Sequence, residues 1–575
     1  MGANATGVAG STAAEAAVEA LRQGGVDVVF GNPGTTEIPL IKQLTRDDAG
    51  LRYVLTLHEG TAVSAAMGNA LATGRPGVAL VHAMPGLSNG LSMYFNAWRS
   101  GVPLVLIVGQ QDRRHQYLNP ILQADLTDIL RAVSKSVWEA KTAAEIPDML
   151  TQSLVAAASS PPGPVLLAVP VDLWDEPVAA PARAVSARPR RSGPAAGPDV
   201  AALADALAGA RSPVFVAGDL VGMSDAGGSL AELAELAGAT AFWAPGSSLA
   251  NFPTSSPCHR GPIFPNAASF ERTFGGADLT VFFGVDLHAP ILFAGTEMVP
   301  PACRVAAVTE SPADPLGALR PDLFVHGDLT AAIPAIADRL RERLSSGVPP
   351  ELEQRRERIV TEGPALRDKL LRRSLESAAE TPMSGRSAVA TILDAAPMDA
   401  MVVDESVSNA WVSLLGSFDD PVSYLAPARG GALGHALGVA VGAKIAREDR
   451  PALVIVGDGA AIYGVQGLWT IAHEELPVVV CVLNNNGYAI LKDFLHSEHF
   501  SPELAADPLA IDSDAGRMSI AHPAVDVPGL ARSWGLDAVR VDDAASCRSA
   551  VQEAFASGRP WVIDVQVRHA PKGGA

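Results

Sequence analysis

Cysteine and basic charge are scarce in this chain, and long apolar runs are absent. The four cysteines, Cys258, Cys303, Cys481 and Cys547, form no C-x-x-C pair, which excludes a disulfide framework or a zinc knuckle and favours a reducing, cytoplasmic location. The 43 basic residues against 62 acidic ones leave a net charge of −19, which argues against nucleic acid and anionic membranes as partners. Apolar runs such as 476–483 are much shorter than the ~20 residues of a membrane-spanning helix.

What the chain does contain is the composition and patterning of an α/β protein of several domains. Its 575 residues are 48% hydrophobic and 18% charged, which is typical of core-rich globular chains. Short apolar runs alternate with helical-period segments, and this alternation predicts βαβ units around buried parallel sheets. We expect three domains in series, at 1–175, 199–345 and 385–570, with a proline-rich linker at 176–198 and a charged helical connector at 351–373.

The segment 454–488 carries the densest chemistry. One apolar strand ends in Gly457-Asp458-Gly459, and the next strand along the chain ends in Asn484-Asn485. Ligands bind at the carboxyl ends of parallel strands, where Gly459 lets the backbone approach a phosphate. An aspartate there would repel the phosphate unless Mg²⁺ lay between them, and carboxylate and amide oxygens suit that ion. Each turn alone is more often a simple turn, but their combination predicts a magnesium and phosphate site.

A lone carboxyl group, Glu59, begins a helix of otherwise small, apolar residues after a predicted strand that ends at Leu57. Its position at a strand–helix junction makes it a candidate functional acid. The simpler alternative is an acidic side chain that only complements the helix dipole.

Six motifs together resemble one enzyme family. They are GNPGTTE (31–37), HEG (58–60), VHAMPG (81–86), NAWRSGVPLVLIVGQQ (96–111), GGALGHALG (430–438) and the GDG…NN pair (457–485). This combination resembles the thiamine diphosphate-dependent 2-oxo acid decarboxylases and carboligases, and among them the benzoylformate decarboxylases. The resemblance runs from about residue 12 to 570 and implies pyrimidine-binding (PYR), middle and diphosphate-binding (PP) domains, each a doubly wound parallel sheet.

The resemblance also implies a set of site residues. Glu59, which would hydrogen-bond the pyrimidine ring, His82, an acid or base, and Thr35 are the expected catalytic residues. The expected Mg²⁺ ligands are Asp458, Asn485 and the carbonyl of Gly487, and Leu433 is the expected wedge that bends the cofactor. The remaining expected cofactor-binding residues are Asn32, Pro33, Gly34, Ser408, Gly431, Gly457, Gly459, Tyr463 and Tyr488.

The implied reaction is the non-oxidative decarboxylation of a 2-oxo acid to an aldehyde, with carboligation as a further outcome. The implied partners are the 2-oxo acid, an aldehyde or keto acceptor, and other copies of the chain. The active sites would lie between subunits of a dimer or a dimer of dimers. The alternative within the family is an acetolactate synthase-like carboligase.

Several positions depart from the family pattern. Thr35 replaces a serine but keeps the hydroxyl, and Ile291 stands where a second active-site histidine is expected, with His288 three residues upstream. Loss of that imidazole leaves room for carboligation. Ile490 and Leu491 are expected in the substrate pocket, where an isoleucine leaves less room for an aromatic ring. The polar stretch after Phe494, which contains His496, His499 and His522, is expected to form a lid.

Two other functions compete with this interpretation. Residues 86–90 match G-x-S-x-G, the nucleophile turn of serine hydrolases, with Ser88 as the nucleophile. The chain could alternatively retain the fold without turnover, as a binding subunit of a related synthase. The presence of Glu59, Asp458 and Asn485 argues against the second alternative.

Overall fold

Three parallel β-sheets with helices on their faces make up the computed structural model of this chain. The structure describes residues 11–178, 192–285, 298–311, 320–409, 411–495 and 518–568. Every pairing within the three large sheets is parallel.

The first sheet has the strand order β3-β2-β4-β5-β7-β6. The strands of this region are β1 (Ser11–Thr12), β2 (Val28–Gly31), β3 (Arg52–Leu55), β4 (Gly77–His82), β5 (Leu104–Gln110), β6 (Ser136–Glu139), β7 (Pro164–Pro170) and β8 (Pro177–Val178), of which β1 and β8 form a separate antiparallel pair. The helices are α1 (Ala13–Gln23), α2 (Ile38–Leu44), α3 (Glu59–Thr73), α4 (Ala83–Arg99), α5 (Leu126–Leu130) and α6 (Ile146–Ala158).

The second sheet has the order β11-β10-β9-β12-β13-β14. Its strands are β9 (Pro213–Ala217), β10 (Thr240–Trp243), β11 (His259–Pro262), β12 (Leu279–Phe283), β13 (Arg304–Thr309) and β14 (Leu323–His326). The helices are α7 (Gly197–Gly209), α8 (Asp219–Met223), α9 (Gly227–Ala237), α10 (Ala267–Phe274), α11 (Leu329–Leu344) and α12 (Pro350–Glu376).

The third sheet has the order β15-β21-β19-β18-β16-β17, and β20 also pairs with β21. Its strands are β15 (Met383–Ser384), β16 (Met401–Glu405), β17 (Tyr424–Leu425), β18 (Ala452–Gly457), β19 (Val478–Asn484), β20 (Asp537–Val541) and β21 (Trp561–Arg568). The helices are α13 (Gly385–Ala395), α14 (Val412–Leu415), α15 (Ala436–Ala446), α16 (Asp458–Tyr463), α17 (Gln466–His473), α18 (Ala489–Leu495), α19 (Val527–Ser533) and α20 (Ala544–Ser557).

Continuous apolar runs form the central strands because helices cover both faces of each sheet. All seven residues of β5, of β7 and of β19 are buried. The fold class expected from the sequence is therefore confirmed. The apolar pattern of the sequence predicts a helix at 59–73, a strand at 77–82 and a helix near 87–98. The first two have the predicted bounds, whereas the third begins earlier, at Ala83.

The chain divides into two compact units. The first contains residues 1–190 together with 430–446, and the second contains 191–429 and 447–575. Helix α15 therefore packs with the first unit, although it lies within the segment predicted as the third domain. The predicted domain bounds themselves stay predictions. Within the described residues, no helix is long and apolar enough to span a membrane.

Candidate active site

In the first unit, the candidate residues gather where the strand order of the sheet reverses. Strands β2 and β4 are neighbours, but the chain visits β3 on the far side of β2 between them. Such a reversal opens a crevice at the carboxyl ends of the two strands. The loop of residues 32–37 follows β2, and His82 is the last residue of β4. The crevice therefore collects the first group of predicted site residues.

A buried carboxylate holds His82 in this crevice. The Nδ1 atom of His82 lies 3.2 Å from Oε2 of Glu37 and 2.9 Å from Oγ1 of Thr36. Glu37 is completely buried, and the Thr36 hydroxyl also donates a short hydrogen bond to it. The hydrogen bond that His82 donates to Glu37 raises the pKa of His82 above its ordinary value, although burial opposes the shift. Because Nδ1 faces this pair, Nε2 is the ring nitrogen left for a ligand.

Backbone geometry brings the loop and the imidazole into contact. A Cβ atom on Gly34 would lie 2.1 Å from Cγ of His82, so only glycine permits this approach. Ala83, which follows His82, has a φ of 44°, a conformation that strains a residue with a side chain. Thr35 is exposed at the tip of the loop, whereas Thr36 is buried. Of these two hydroxyls, that of Thr35 is the accessible one, and its role in binding stays a prediction.

Glu59 is the first residue of α3 and is only 8% exposed. The side-chain amide of Asn89, on α4, donates a 3.0 Å hydrogen bond to its Oε2 atom. The preceding His58 caps the helix by accepting a hydrogen bond from the amide of Gly60. Glu59 is thus a buried carboxyl with one neutral donor on one oxygen. The sequence does not indicate Asn89 as a partner of Glu59, because only the tertiary fold brings α4 against the start of α3.

Ser88 does not have the geometry of a hydrolase nucleophile. It lies inside α4, five residues after the helix begins, and its hydroxyl donates to the carbonyl of Met84. A nucleophile turn instead places the serine directly between a strand and a helix. The two glycines of the pattern have a packing role, because Cβ atoms on Gly86 and Gly90 would lie 3.3 Å from Glu59 Oε1 and 3.2 Å from Val63 Cγ2.

Residues 430–446 contribute further candidate residues to the first unit. Asn96, on α4, donates to the carbonyl of Ala432 at 2.8 Å and accepts from the amide of Ala432 at 3.2 Å. These two bonds fix the turn between Gly431, whose φ is 75°, and the half-buried Leu433. The side-chain amide of Asn96 therefore positions Leu433, the residue that the family resemblance assigns as the cofactor wedge.

Helix α15 packs closely on α3 because both helices carry small residues at the contact. A Cβ atom on Gly442 would lie 1.7 Å from the carbonyl oxygen of Ala65, and one on Gly68 would lie 2.0 Å from that of Val439. Larger residues at these glycines would force the helix backbones apart. This contact connects the turn around Leu433 to the helix that begins with Glu59.

The second unit has its own reversal of strand order, between β16 and β18. Ser408 lies in the turn after β16, and Asp458 and Gly459 follow β18. Ser408 is half-buried, and the preceding Val407 has a φ of 35°, which marks a strained turn. A Cβ atom on Gly457 would meet nothing closer than the carbonyl oxygen of Glu405 at 4.0 Å, so the backbone here borders open space.

Asp458 is the most informative group of this half. Its Oδ1 atom accepts from the amide of Gly459 at 2.8 Å, and its Oδ2 atom accepts from the amide of Gly487 at 3.2 Å. Burial raises the pKa of Asp458 to about 6, although backbone amides that include those of Asn485 and Asn486 act in the opposite direction. A bound cation would offset the cost of burying this charge. The donor set therefore fits Mg²⁺, the metal expected from the sequence.

Asn484, the last residue of β19, and Asn485, which follows it, have different surroundings. The side-chain amide of Asn484 is buried and donates to Oδ1 of Asp564 at 2.9 Å, which makes it a structural residue. Asn485 is only half-buried, and the following Asn486 has a φ of 55°. The turn is fixed because the amide of Tyr488 donates to Met518 and the amide of Ile520 donates to Asn486. Asn485 is thus the asparagine that remains for a metal.

The predicted aromatic residues lie beside this turn. A Cβ atom on Gly459 would approach Cε1 of Tyr488 to 2.7 Å, so the glycine allows the ring to lie against the backbone. Burial raises the pKa of Tyr488, which also shares a hydrogen bond with Tyr463. Tyr463 is mostly exposed.

Ile490 and Leu491 lie on α18, where Ile490 is half-buried and Leu491 is exposed. His522 lies within the described residues, whereas Ile291, His288, His496 and His499 lie outside them. In the part of the chain that the structure describes, no three His, Cys, Asp or Glu side chains cluster as a metal site. The predicted ligand set contains only one such side chain.

Comparison with known proteins identifies the class to which this fold and site belong. The N-terminal, central and C-terminal domains of thiamine pyrophosphate enzymes match residues 11–131, 200–336 and 406–565. The chain belongs to this family, its cofactor is thiamine diphosphate (thiamine pyrophosphate), and it is an enzyme of the 2-oxo acid decarboxylase and carboligase type. The family expected from the sequence motifs is therefore confirmed.

Individual relatives cover almost the whole chain. Benzoylformate decarboxylase of Pseudomonas aeruginosa is 33% identical over 96% of this chain and 98% of its own length. A putative acetolactate synthase large subunit of Mycobacterium tuberculosis is 29% identical over the same shares. Among solved structures, the 4-hydroxybenzoylformate decarboxylase of Rhodococcus jostii RHA1 has a TM-score of 0.80 and 28% identity, covering 97% of this chain and 100% of that one.

Proposed function

We propose that this enzyme decarboxylates a 2-oxo acid without oxidation and releases the corresponding aldehyde. The single observation that carries the proposal is the buried carboxyl of Glu59 at the start of α3, with Asn89 as its donor, in a chain of this family. In the reaction, the bond between the carboxylate carbon and the keto carbon breaks, CO₂ departs, and a proton takes its place. The benzoylformate decarboxylase relative supports this reaction class.

Each candidate residue has a role in this proposal. Asp458, Asn485 and the carbonyl of Gly487 hold Mg²⁺, while Ser408 and the amides around Gly459 hold the diphosphate. Asn32, Pro33, Gly34, Gly431, Gly457, Tyr463 and Tyr488 line the cofactor site, with Leu433 as the wedge. Thiamine diphosphate, when bound, supplies the electron sink that accepts the electron pair left by CO₂.

Proton handling falls to the chain's own side chains. The carboxyl of Glu59, which is only 8% exposed, hydrogen-bonds the pyrimidine ring of the cofactor. His82 exchanges a proton at Nε2 because its Nδ1 atom is engaged by Glu37 and Thr36. The hydroxyl of Thr35 orients the carboxylate of the substrate.

We also propose that the chain assembles as a homodimer or a dimer of dimers in the cytoplasm, with active sites completed between subunits. Three apolar side chains on the loop after β5 support a contact with a second copy. Tyr117, Leu118 and Ile121 are 82%, 65% and 85% exposed, which is unusual for side chains of this size in one loop.

One experiment tests the reaction directly. The enzyme loaded with thiamine diphosphate and Mg²⁺ is incubated with a panel of 2-oxo acids, with and without added aldehyde, and the products are identified by mass. The proposal requires free aldehyde and CO₂ from at least one acid, and a large loss of this turnover in Glu59→Gln with cofactor binding retained. Acyloin products alone would instead favour the alternative, an acetolactate synthase-like carboligase, for which flavin absorbance in the purified protein is a second indicator.

A further inference from the structure

A cavity of about 180 Å³ lies in the second unit. The residues that line it belong to other elements than those that carry Asp458 and Asn485. It is bordered by the loop before β11, by α12 and by α14. Apolar walls come from Pro364, Leu366, Leu370 and Leu414. Its polar lining includes Ser255, His259, Arg260 and Arg367. The cavity therefore combines an apolar part with two guanidinium groups.

Helix α12 lacks a side chain at Gly363, beside this cavity. A Cβ atom on Gly363 would lie 2.2 Å from the carbonyl oxygen of Pro257 and 2.6 Å from a guanidinium nitrogen of Arg260. The glycine thus lets the helix approach the loop. Pro364, inside the same helix, lacks an amide hydrogen and leaves the carbonyl of Val360 without its usual helical donor. The combination of Gly363 and Pro364 forms a notch that seats Arg260.

The two arginines at the cavity are not neutralised by carboxylates. Arg260 donates to the carbonyls of Pro257 and His259, and Arg367 donates to that of Thr254. Within the described ranges, neither guanidinium has a carboxylate oxygen at ion-pair distance, although Glu362 influences Arg260 and Asp419 accepts from the amide of Ser255. Burial lowers the pKa of Arg260, which reflects the cost of its uncompensated charge. An anion in the cavity would reduce that cost.

His259 supplies a third polar group. Its ring stacks on Phe252 with a 6.3 Å centroid distance and lies 5.6 Å from the ring of Trp243, so its orientation is fixed. The Nε2 atom is shielded from solvent and has no hydrogen-bond partner among the described residues. Burial, together with Arg367 and Arg260, lowers the pKa of His259 to about 3, so the imidazole is neutral at physiological pH. His259 therefore contributes a neutral, fixed ring to the wall of the cavity.

We propose that this cavity is a binding site for a small organic carboxylate with an apolar body, held by Arg260 and Arg367, with the ring of His259 in its wall. Paired guanidinium groups suit a carboxylate, and the leucine walls suit an aryl or alkyl chain. The volume lies below the range typical of drug-sized ligands, which limits the occupant to a small molecule. None of the residues that line the cavity is assigned to the cofactor site, and the proposal does not depend on the reaction proposed above.

The test locates a heavy-atom probe in the holoenzyme. Crystals of the enzyme with thiamine diphosphate and Mg²⁺ are soaked with 4-bromobenzoate, and the anomalous signal of bromine shows where the probe binds. The proposal requires a peak between α12 and the loop 254–261, with the carboxylate directed at Arg260 and Arg367. A peak at the catalytic centre alone, or no peak, would overturn it.

Equilibrium dialysis of the same probe adds a solution measurement. Arg260→Gln and Arg367→Gln should each weaken binding at this site about tenfold or more, because each removes a charge-assisted hydrogen bond. Arg372→Gln, an exposed arginine on the same helix and outside the cavity, is the matched control and should bind as the wild type does. Loss of binding in the control, or displacement of the probe by inorganic phosphate at equal concentration, would overturn the assignment of an apolar carboxylate.

Discussion

The imidazole of His82 is paired with the carboxylate of Glu37, whose Oε2 atom lies 3.2 Å from Nδ1 in the crevice between β2 and β4. The side chain of Glu37 has no exposed surface, whereas that of His82 is 18% exposed. The contact fixes which ring nitrogen faces a ligand and raises the pKa of His82. A carboxylate behind a catalytic imidazole is a common way to orient the ring and set its tautomer.

Glu37→Gln should shift the pH dependence of turnover to lower pH. The substitution removes the charge that raises the pKa of His82, so the imidazole loses its proton at lower pH than in the wild type. The limb of the kcat/KM profile that reports His82 should move in the acid direction, and kcat should fall about tenfold or more, since a positioned acid or base contributes about 10²–10⁴-fold.

Thr36→Val provides the comparison for this change. It removes the hydroxyl that bonds to this carboxylate and to Nδ1 of His82, but it keeps the charge of Glu37. Its pH profile should therefore stay close to that of the wild type. Equal shifts in the two variants, or an unshifted profile in Glu37→Gln, would show that the carboxylate does not control His82.

Ser88 and Asn89 are neighbours on α4, and alanine substitutions at the two positions should affect kcat differently. Ser88→Ala should retain kcat within about twofold. Among the described residues its hydroxyl bonds only to the carbonyl of Met84, and surface substitutions rarely cost more than about 0.5 kcal/mol. Asn89→Ala should lower kcat by about tenfold or more, because it removes the donor that fixes Glu59. Steady-state kinetics of both variants measure the difference. Labelling of Ser88 by a fluorophosphonate, or inactivity of Ser88→Ala, would contradict this assignment.

Local sequence patterns predicted the central elements well. The alternation of apolar runs and helical segments is enough to predict buried parallel strands, and the bounds of α3 and β4 follow from it. Strand β7 is not among the predicted strands, although all seven of its residues are buried. The predictions also miss β6, β10 and β14, because half-buried strands carry a weaker apolar signal than central ones.

The candidate site was predictable only where a motif lies in one stretch of sequence. Asp458 and Asn485 follow strands that are adjacent in the sheet, so their proximity can be deduced from the strand order. The partners of Glu59 and of Leu433, which are Asn89 and Asn96, depend on how helices pack, and no spacing rule indicates them. Glu37 is the last residue of the motif GNPGTTE, yet nothing in the sequence shows that its carboxylate contacts His82.

The adjacent Asn484 and Asn485 separate structural support from metal binding. Asn485→Ala should raise the Mg²⁺ concentration needed for half-maximal activity by about tenfold or more, because a ligand is lost. Asn484→Ala should instead lower Tm, because it removes a buried hydrogen bond to Asp564 that is worth about 1–3 kcal/mol. Activity titrations with Mg²⁺ and thermal unfolding of both variants distinguish these effects. The reverse assignment of phenotypes would exclude Asn485 as the ligand.

The side chain at position 490 should determine how large a substrate the enzyme accepts. Ile490 is half-buried on α18, two residues after Tyr488, and a β-branched residue there narrows the proposed pocket. We expect the wild type to turn over straight-chain 2-oxo acids faster than benzoylformate. Ile490→Ala should shift the ratio of kcat/KM values toward benzoylformate by about 10-fold to 200-fold, the range that small differences in apolar pocket volume produce. Met398→Ala, a change at a side chain that is 94% exposed, should leave the ratio unchanged. A wild-type preference for benzoylformate, or an unaltered ratio in Ile490→Ala, would show that this residue does not limit the pocket.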